Sequence, residues 1–213
     1  AQHREVFVVA RRPGMPAGVT LSDLAHDYAQ KIEVEFEPPV EVVGSSSGGS
    51  IAIYLAAEHP AQVRRLAIFD SACRMGDEGR AWQRRAAELA RERRWNELSR
   101  QLIATVWPDN IFGRAASRAF APLMALSAPE DPTDMVRFIE AEDDLDFCAR
   151  LGEISAPTFV AVGEHDLLNP PALARVTAAG IPDCRLRIYE GRRHGLRHKE
   201  FAQDLADFFV TVD

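Results

Sequence analysis

A chain of 213 residues that is 46% apolar and 27% charged can bury one sizeable core, as a single domain or a domain carrying an insertion. Its net charge of −7 offers no basic patch for phosphates, so no nucleic-acid partner is expected. No stretch approaches the roughly 18 to 20 apolar residues of a membrane span, and the first residues lack the apolar segment of a signal peptide, so no membrane partner is expected either. Cys73, Cys148 and Cys184 form no CxxC pair. Neither a disulfide framework nor a metal site is expected from them, and a reducing cytoplasm fits best.

The elements follow in chain order. Residues 6–10, Val-Phe-Val-Val-Ala, form a β-branched apolar run closed by Arg11-Arg12-Pro13-Gly14, which predicts a buried strand and a loop. Residues 21–32 predict a helix, because Leu21, Leu24, Ala25, Tyr28 and Ile32 recur at helical spacing and Thr20 or Ser22 can cap the start. Beyond Pro38-Pro39, residues 40–43 read as a second buried strand, followed by a Gly/Ser turn and a helix through Ile51, Ala52, Tyr54, Leu55 and Ala56. Further strands are predicted at 66–70, 158–162 and 185–189, and helices at 171–179 and 200–210. Strands alternating with helices imply an α/β fold with a mostly parallel sheet flanked by helices.

Residues 74–155 break that alternation and are too long for a loop. They hold Trp82, Trp95 and Trp107, and four helices are expected near 77–93, 95–106, 112–127 and 132–150, punctuated by Pro108, Pro129 and Pro132. The arginines at 91–94 alternate with Glu88, Glu92 and Glu97, the pattern of a solvated helix face. The expected organisation is a core of 1–73 and 156–213 with a helical segment inserted at 74–155.

Gly44-Ser45-Ser46-Ser47-Gly48 satisfies G-x-S-x-G directly between a strand and a helix. A tight turn there lifts the central side chain into a cleft, and the helix behind it aims N–H groups at an oxyanion. Ser46 has glycine on both flanks and is preferred as nucleophile, although Ser45-x-Ser47-x-Gly49 is a competing frame. A phosphate-binding loop would need a lysine where Gly48-Gly49-Ser50 has none, and the glycine spacing does not suit a dinucleotide turn.

A serine needs a base. Of six histidines, His194 follows the last predicted strand at the sheet's carboxyl edge, where open α/β sheets place their sites. His3, His26, His59 and His198 read as surface or capping residues. Asp166 follows the fourth predicted strand, at 158–162, and is the expected acid; Asp70, ending the strand at 66–70, is the alternative. The order Ser46, Asp166, His194 is nucleophile, acid, base.

These motifs resemble the α/β-hydrolase family, in its serine-nucleophile branch with a helical cap, over nearly the whole chain. The resemblance implies that Arg12-Pro13-Gly14 corresponds to the loop after the family's fourth strand, residues 44–49 to its nucleophile elbow, 163–166 to its acid loop, and 191–194 to its histidine loop. It implies a serine hydrolase of a small-molecule substrate, a carboxylic ester, lactone or thioester, acting without a cofactor. It leaves open a carbon-carbon hydrolase, an acyltransferase, a haloperoxidase or a catalytically silent binding protein. The family has three strands and a helix ahead of the one placed here at 6–10, so further residues before residue 1 are expected; the alternative is that this strand lies beside the one at 40–43. Only the Ser47 N–H can be assigned to the oxyanion hole. The three tryptophans, with Phe112, Phe120, Met124, Met135 and Phe138, are read chiefly as helix-packing residues, the alternative being the lining of an apolar acyl pocket. The oligomeric state is not legible.

Overall fold

The computed structural model describes residues 5–107 and 110–210, so His3 and Pro108 lie outside it. The first helix, α1 (Leu21–Glu35), starts at a capping box: the Asp23 N–H donates to Thr20 Oγ1 at 3.1 Å, and the Thr20 N–H donates to Asp23 Oδ2 at 2.9 Å. Four parallel strands follow, β1 (Val40–Ser45), β2 (Val63–Phe69), β3 (Thr158–Gly163) and β4 (Cys184–Tyr189), in the spatial order β1-β2-β3-β4. Helices α2 (Ser47–Glu58), α7 (Pro171–Gly180) and α8 (Lys199–Val210) complete the core.

Period-two alternation assigns each strand residue to a face. Leu66, Ile68, Val160 and Val162 join Leu24, Ala25, Ile53 and Ala174 on one side of the sheet. Ala67, Phe159 and Ala161 meet Phe201 and Phe208 of α8 on the other. Every residue of β3 is buried, as expected of a strand covered on both faces. Each large apolar side chain so buried stabilises the fold by about 1.5–3 kcal/mol.

The strand expected at 6–10 is not formed. This segment pairs with no strand, and Val6 and Val8 are 85% and 96% exposed. Its neighbours among the described residues include the Phe36 ring, 5.0 Å from the Phe7 ring, and the Tyr28 hydroxyl, which donates to the Val9 carbonyl at 3.3 Å. An apolar run becomes a strand when a partner edge takes its backbone groups, and the β1 edge does not take these.

The insertion contains α3 (Asp77–Arg91), α4 (Trp95–Val106), α5 (Ile111–Ala125) and α6 (Thr133–Asp143). Ala86, Leu89, Ala90, Leu98, Val136 and Ile139 form its own small core, with Trp82 and Trp95 packed against it. The helix expected over 132–150 stops at Asp143; a short β-bridge between Arg74 and Asp146 and a 3-10 turn at Cys148–Glu153 take its place. There Cys73 and Cys148 form a disulfide, which corrects the expectation of unpaired cysteines. Their separation of 75 residues carries no local signal; the fold brings them together by returning the insertion to its starting point, where the Phe147 N–H donates to the Cys73 carbonyl at 2.8 Å. Among the described residues no helix is long and apolar enough to cross a membrane.

Candidate active site

The turn between β1 and α2 places Ser46 at φ +50°, ψ −120°, a backbone conformation that side chains adopt only at a cost. Two close approaches hold it there. A Cβ on Gly44 would sit 2.6 Å from the Gly48 carbonyl oxygen and 2.7 Å from Gly49 Cα, and one on Gly49 would sit 2.5 Å from Ser71 Cβ. Gly48, the second glycine of the motif, faces open space. The steric demand therefore falls on Gly44 and Gly49.

Ser46 Oγ lies 3.0 Å from His194 Nε2; among the described residues, neither Ser45 nor Ser47 makes this contact. On the other side of the ring, Nδ1 lies 2.8 Å from Asp166 Oδ2, so Nδ1 carries the proton and Nε2 is free to accept. Asp166 is oriented in turn: its Oδ1 accepts the N–H groups of Leu168 at 2.9 Å and Asn169 at 3.0 Å. The structure thus brings Ser46, His194 and Asp166 together.

Two loops at the carboxyl edge carry His194 and Asp166, and they are stitched to each other. The His165 N–H donates to the Arg192 carbonyl at 2.7 Å and the Glu164 N–H to the Tyr189 carbonyl at 2.9 Å, while the Gly191 N–H donates to Glu164 Oε2 at 2.8 Å. A Cβ on Gly163 would meet the Arg192 and Arg193 carbonyl oxygens at 2.6 Å, so the loops touch backbone to backbone.

Burial of the His194 ring favours its neutral form, but the hydrogen bond to and charge of Asp166, with the charges of Asp70 and Glu142, outweigh this and hold it above the ordinary histidine value. Asp70 is not bonded to His194. It is fully buried, and its Oδ2 accepts the N–H groups of Gly195 at 2.9 Å and Leu196 at 2.8 Å. Burial pushes its carboxyl up to about 6. The Ser47 N–H, at the first turn of α2, has no hydrogen-bond partner among the described residues.

The other histidines fall elsewhere. His198 Nδ1 accepts the Phe201 N–H at the start of α8, His165 is exposed, and His26 and His59 face each other with ring centroids 5.5 Å apart. Sequence reasoning missed Glu142, a buried carboxylate on α6 that accepts from Ser50 Oγ at 2.5 Å and from Gln83 Nε2. It ties the insertion to the helix behind Ser46. Its burial was invisible beside Glu140 and Asp143, acidic neighbours on the same helix. A cavity of about 490 Å³ beside Ser47 and Gly48 is lined also by Arg11, Met15, Tyr28 and Met135. Of the five apolar residues singled out in the insertion, Met135 reaches this cavity and Phe138 is buried under the Arg11 guanidinium at 4.0 Å. Phe112, Phe120 and Met124 are exposed, which corrects their reading as packing residues. Among the described residues, the one set of acidic and histidine side chains close enough to share a metal is Asp70, Asp166 and His194, and the hydrogen bonds above already engage those groups.

A serine meeting a histidine-carboxylate pair, on a parallel sheet covered by helices, is the arrangement that serine hydrolases of the α/β-hydrolase fold carry. The chain belongs to the family described as serine aminopeptidase, S33, whose model matches residues 19–200. It is 27% identical over 198 residues to a pimeloyl-[acyl-carrier protein] methyl ester esterase of Neisseria meningitidis, covering 86% of this chain and 61% of that one. Two solved structures share the fold. The α/β hydrolase MGS-M2, from a deep-sea metagenome library, has a TM-score of 0.82 at 18% identity over 93% of this chain and 75% of its own. The enol-lactonase of Burkholderia xenovorans LB400 has a TM-score of 0.77 at 24% identity over 92% and 75%.

Proposed function

We propose that this chain hydrolyses a small carboxylic ester, lactone or thioester through an acyl-enzyme on Ser46. The observation that carries the reading is the single ring of His194 bonded at once to Ser46 Oγ and Asp166 Oδ2. As Ser46 Oγ attacks the acyl carbon, its proton passes to His194 Nε2, and Asp166 stabilises the imidazolium and keeps its orientation. The Ser47 N–H, with the N-terminal end of α2 behind it, faces the developing oxyanion. His194 then gives the proton to the departing alcohol or thiol. Water, activated by the same nitrogen, frees the acid and restores the Ser46 hydroxyl.

The inserted helices act in this reading as a cap over a small-molecule site, and neither a nucleic acid nor a membrane is assigned as partner. The cytoplasmic expectation rested on unpaired cysteines; the Cys73–Cys148 bond removes that ground, and an oxidising compartment suits it better.

A second reading, a binding protein without catalysis, is favoured by one observation: Ser47 supplies the one oxyanion donor assigned among the described residues, and loss of one donor typically costs about 10²- to 10³-fold in rate. A fluorophosphonate probe separates the two. The hydrolase reading requires a covalent adduct mapped by mass spectrometry to Ser46, absent in Ser46→Ala and slowed strongly in His194→Ala. A folded wild-type protein that takes no adduct defeats it. p-Nitrophenyl esters of increasing chain length, run beside lactones, then grade the acyl group.

A further inference from the structure

Asp70 is a buried carboxylate with no task in the mechanism above. It directly follows β2 at φ +54°, in the left-handed region, and touches both loops of the site, one through its side chain and the other through its carbonyl. Its Oδ2 accepts from Gly195 and Leu196, the two residues after His194, while its carbonyl accepts from Asn169 Nδ2 at 2.8 Å. The Asn169 N–H is in turn a donor to Asp166. The remaining oxygen of Asp70, Oδ1, is buried and has no hydrogen-bond partner among the described residues. A carboxylate oxygen of Asp70, one of Asp166 and a ring nitrogen of His194 all lie within 4.8 Å of one another.

We propose that Asp70 is a positioning residue for the reaction: it pins the histidine loop through Oδ2, sets a second negative charge beside His194, and keeps Oδ1 as a standby acceptor for the imidazole. The inference rests on the reading of Ser46, His194 and Asp166 as the reacting set.

A structural peg alone does not account for the residue. Two N–H groups can be satisfied by a neutral amide oxygen, and a carboxylate buried with one oxygen unpaired is unfavourable as an ion. That cost falls when a positive charge forms next to it, which happens at His194 when the Ser46 proton arrives. The arrangement therefore favours the charged imidazole of the transition state over the neutral one of the resting enzyme. The groups facing this charge are His194 and Asp166 from the two loops, and Glu142 of α6, whose field also reaches His194.

Asp70→Asn separates charge from peg, because the amide oxygen still accepts from Gly195 and Leu196. The kcat/KM profile for p-nitrophenyl acetate, measured from about pH 5 to 9, reports the free enzyme's base. Removing Asp70's charge takes away one of the influences that raise His194, so the acid limb moves to lower pH. A loop that merely loosened would lower the plateau and leave the limb in place. In an Asp166→Asn background, where Oδ1 of Asp70 is the standby acceptor, the same substitution lowers the rate at least tenfold further than in the wild type. An unmoved limb, or an equal factor in both backgrounds, overturns the inference. Melting curves accompany each variant, and Asp70→Ser, neutral and smaller, is read by the same limb if the asparagine variant does not fold. Fluorophosphonate labelling of the wild type keeps the two failures apart: an unlabelled wild type sinks the hydrolase reading itself, whereas a labelled one with an unmoved limb sinks only this role of Asp70.

Discussion

The carboxyl edge of the sheet and the inserted helices hold their side chains by different means. At the edge, the acid and histidine loops are fixed by backbone hydrogen bonds to each other, by Asp70, and by glycines that let main chains touch. The insertion instead relies on a small apolar core, on the buried Glu142 contact to Ser50, and on one covalent bond at its base. Its outer helix α5 leaves Ile111, Phe112 and Leu123 73%, 79% and 62% exposed. Backbone stitching fixes positions to within a hydrogen-bond length, as the chemistry proposed for Ser46 demands, whereas side-chain packing alone leaves a helical layer more freedom to adjust.

The sharpest way to break this contrast is to cut the bond at the base of the insertion. Closing a loop of 75 residues stabilises the native state by about 4 kcal/mol in the chain-entropy view, so denaturant melts with and without a thiol reductant should differ by that order. Thiol counting on the denatured chain should give one group before reduction, Cys184, and three after. Because burial pushes the Cys184 thiol up to about 12, it should stay unreactive in the native protein. An unchanged melt would show that the insertion is held by packing alone.

The next effect concerns the edge. An acid whose folded value is raised contributes its full stability below its unfolded value, and that contribution is lost as pH rises toward the folded one. Asp70, raised from 3.8 to about 6, should therefore weaken the native state as pH climbs through that window, by on the order of 3 kcal/mol at neutrality. Asp70→Asn removes this loss. Its melting temperature should exceed the wild type's at pH 7 and converge with it near pH 4; parallel curves would contradict the assignment.

Smaller again is the difference between two adjacent glycines. Gly49→Ala drives a methyl group into Ser71 and should destabilise by about 1–3 kcal/mol, whereas Gly48→Ala meets nothing and should cost less than about 0.5 kcal/mol. Equal costs would show that the elbow is looser than described. The least effect belongs to the exposed face of α5: Phe112→Ser should change unfolding free energy by no more than about 0.5 kcal/mol.

What the residues revealed unaided follows the same division. The strands at 66–70 and 158–162 were legible because burial on both faces demands apolar runs, the more exposed strands at 40–43 and 185–189 as short β-branched or alternating runs, and Ser46, Asp166 and His194 because each stands just beyond such a strand. The run at 6–10 has the same composition, yet no edge receives it; pairing is a property of two segments and composition of one. The disulfide escaped for a related reason, since contact between Cys73 and Cys148 exists only once four helices have returned the chain to its origin. Asp70 was legible as a candidate but not in its place: the sequence put it at a strand end, and only the fold shows it bonded to the backbone after His194 rather than to the ring.

The bond at Cys73 and Cys148 also makes the insertion a closed ring. The chain enters and leaves it with Cα atoms 5.0 Å apart, so the spacing between β2 and β3 does not depend on what the ring contains. Helices inside it, apart from α6 whose Glu142 reaches Ser50, are separated by the bond from the register of the sheet, and a protease cut within the ring leaves both pieces on one molecule.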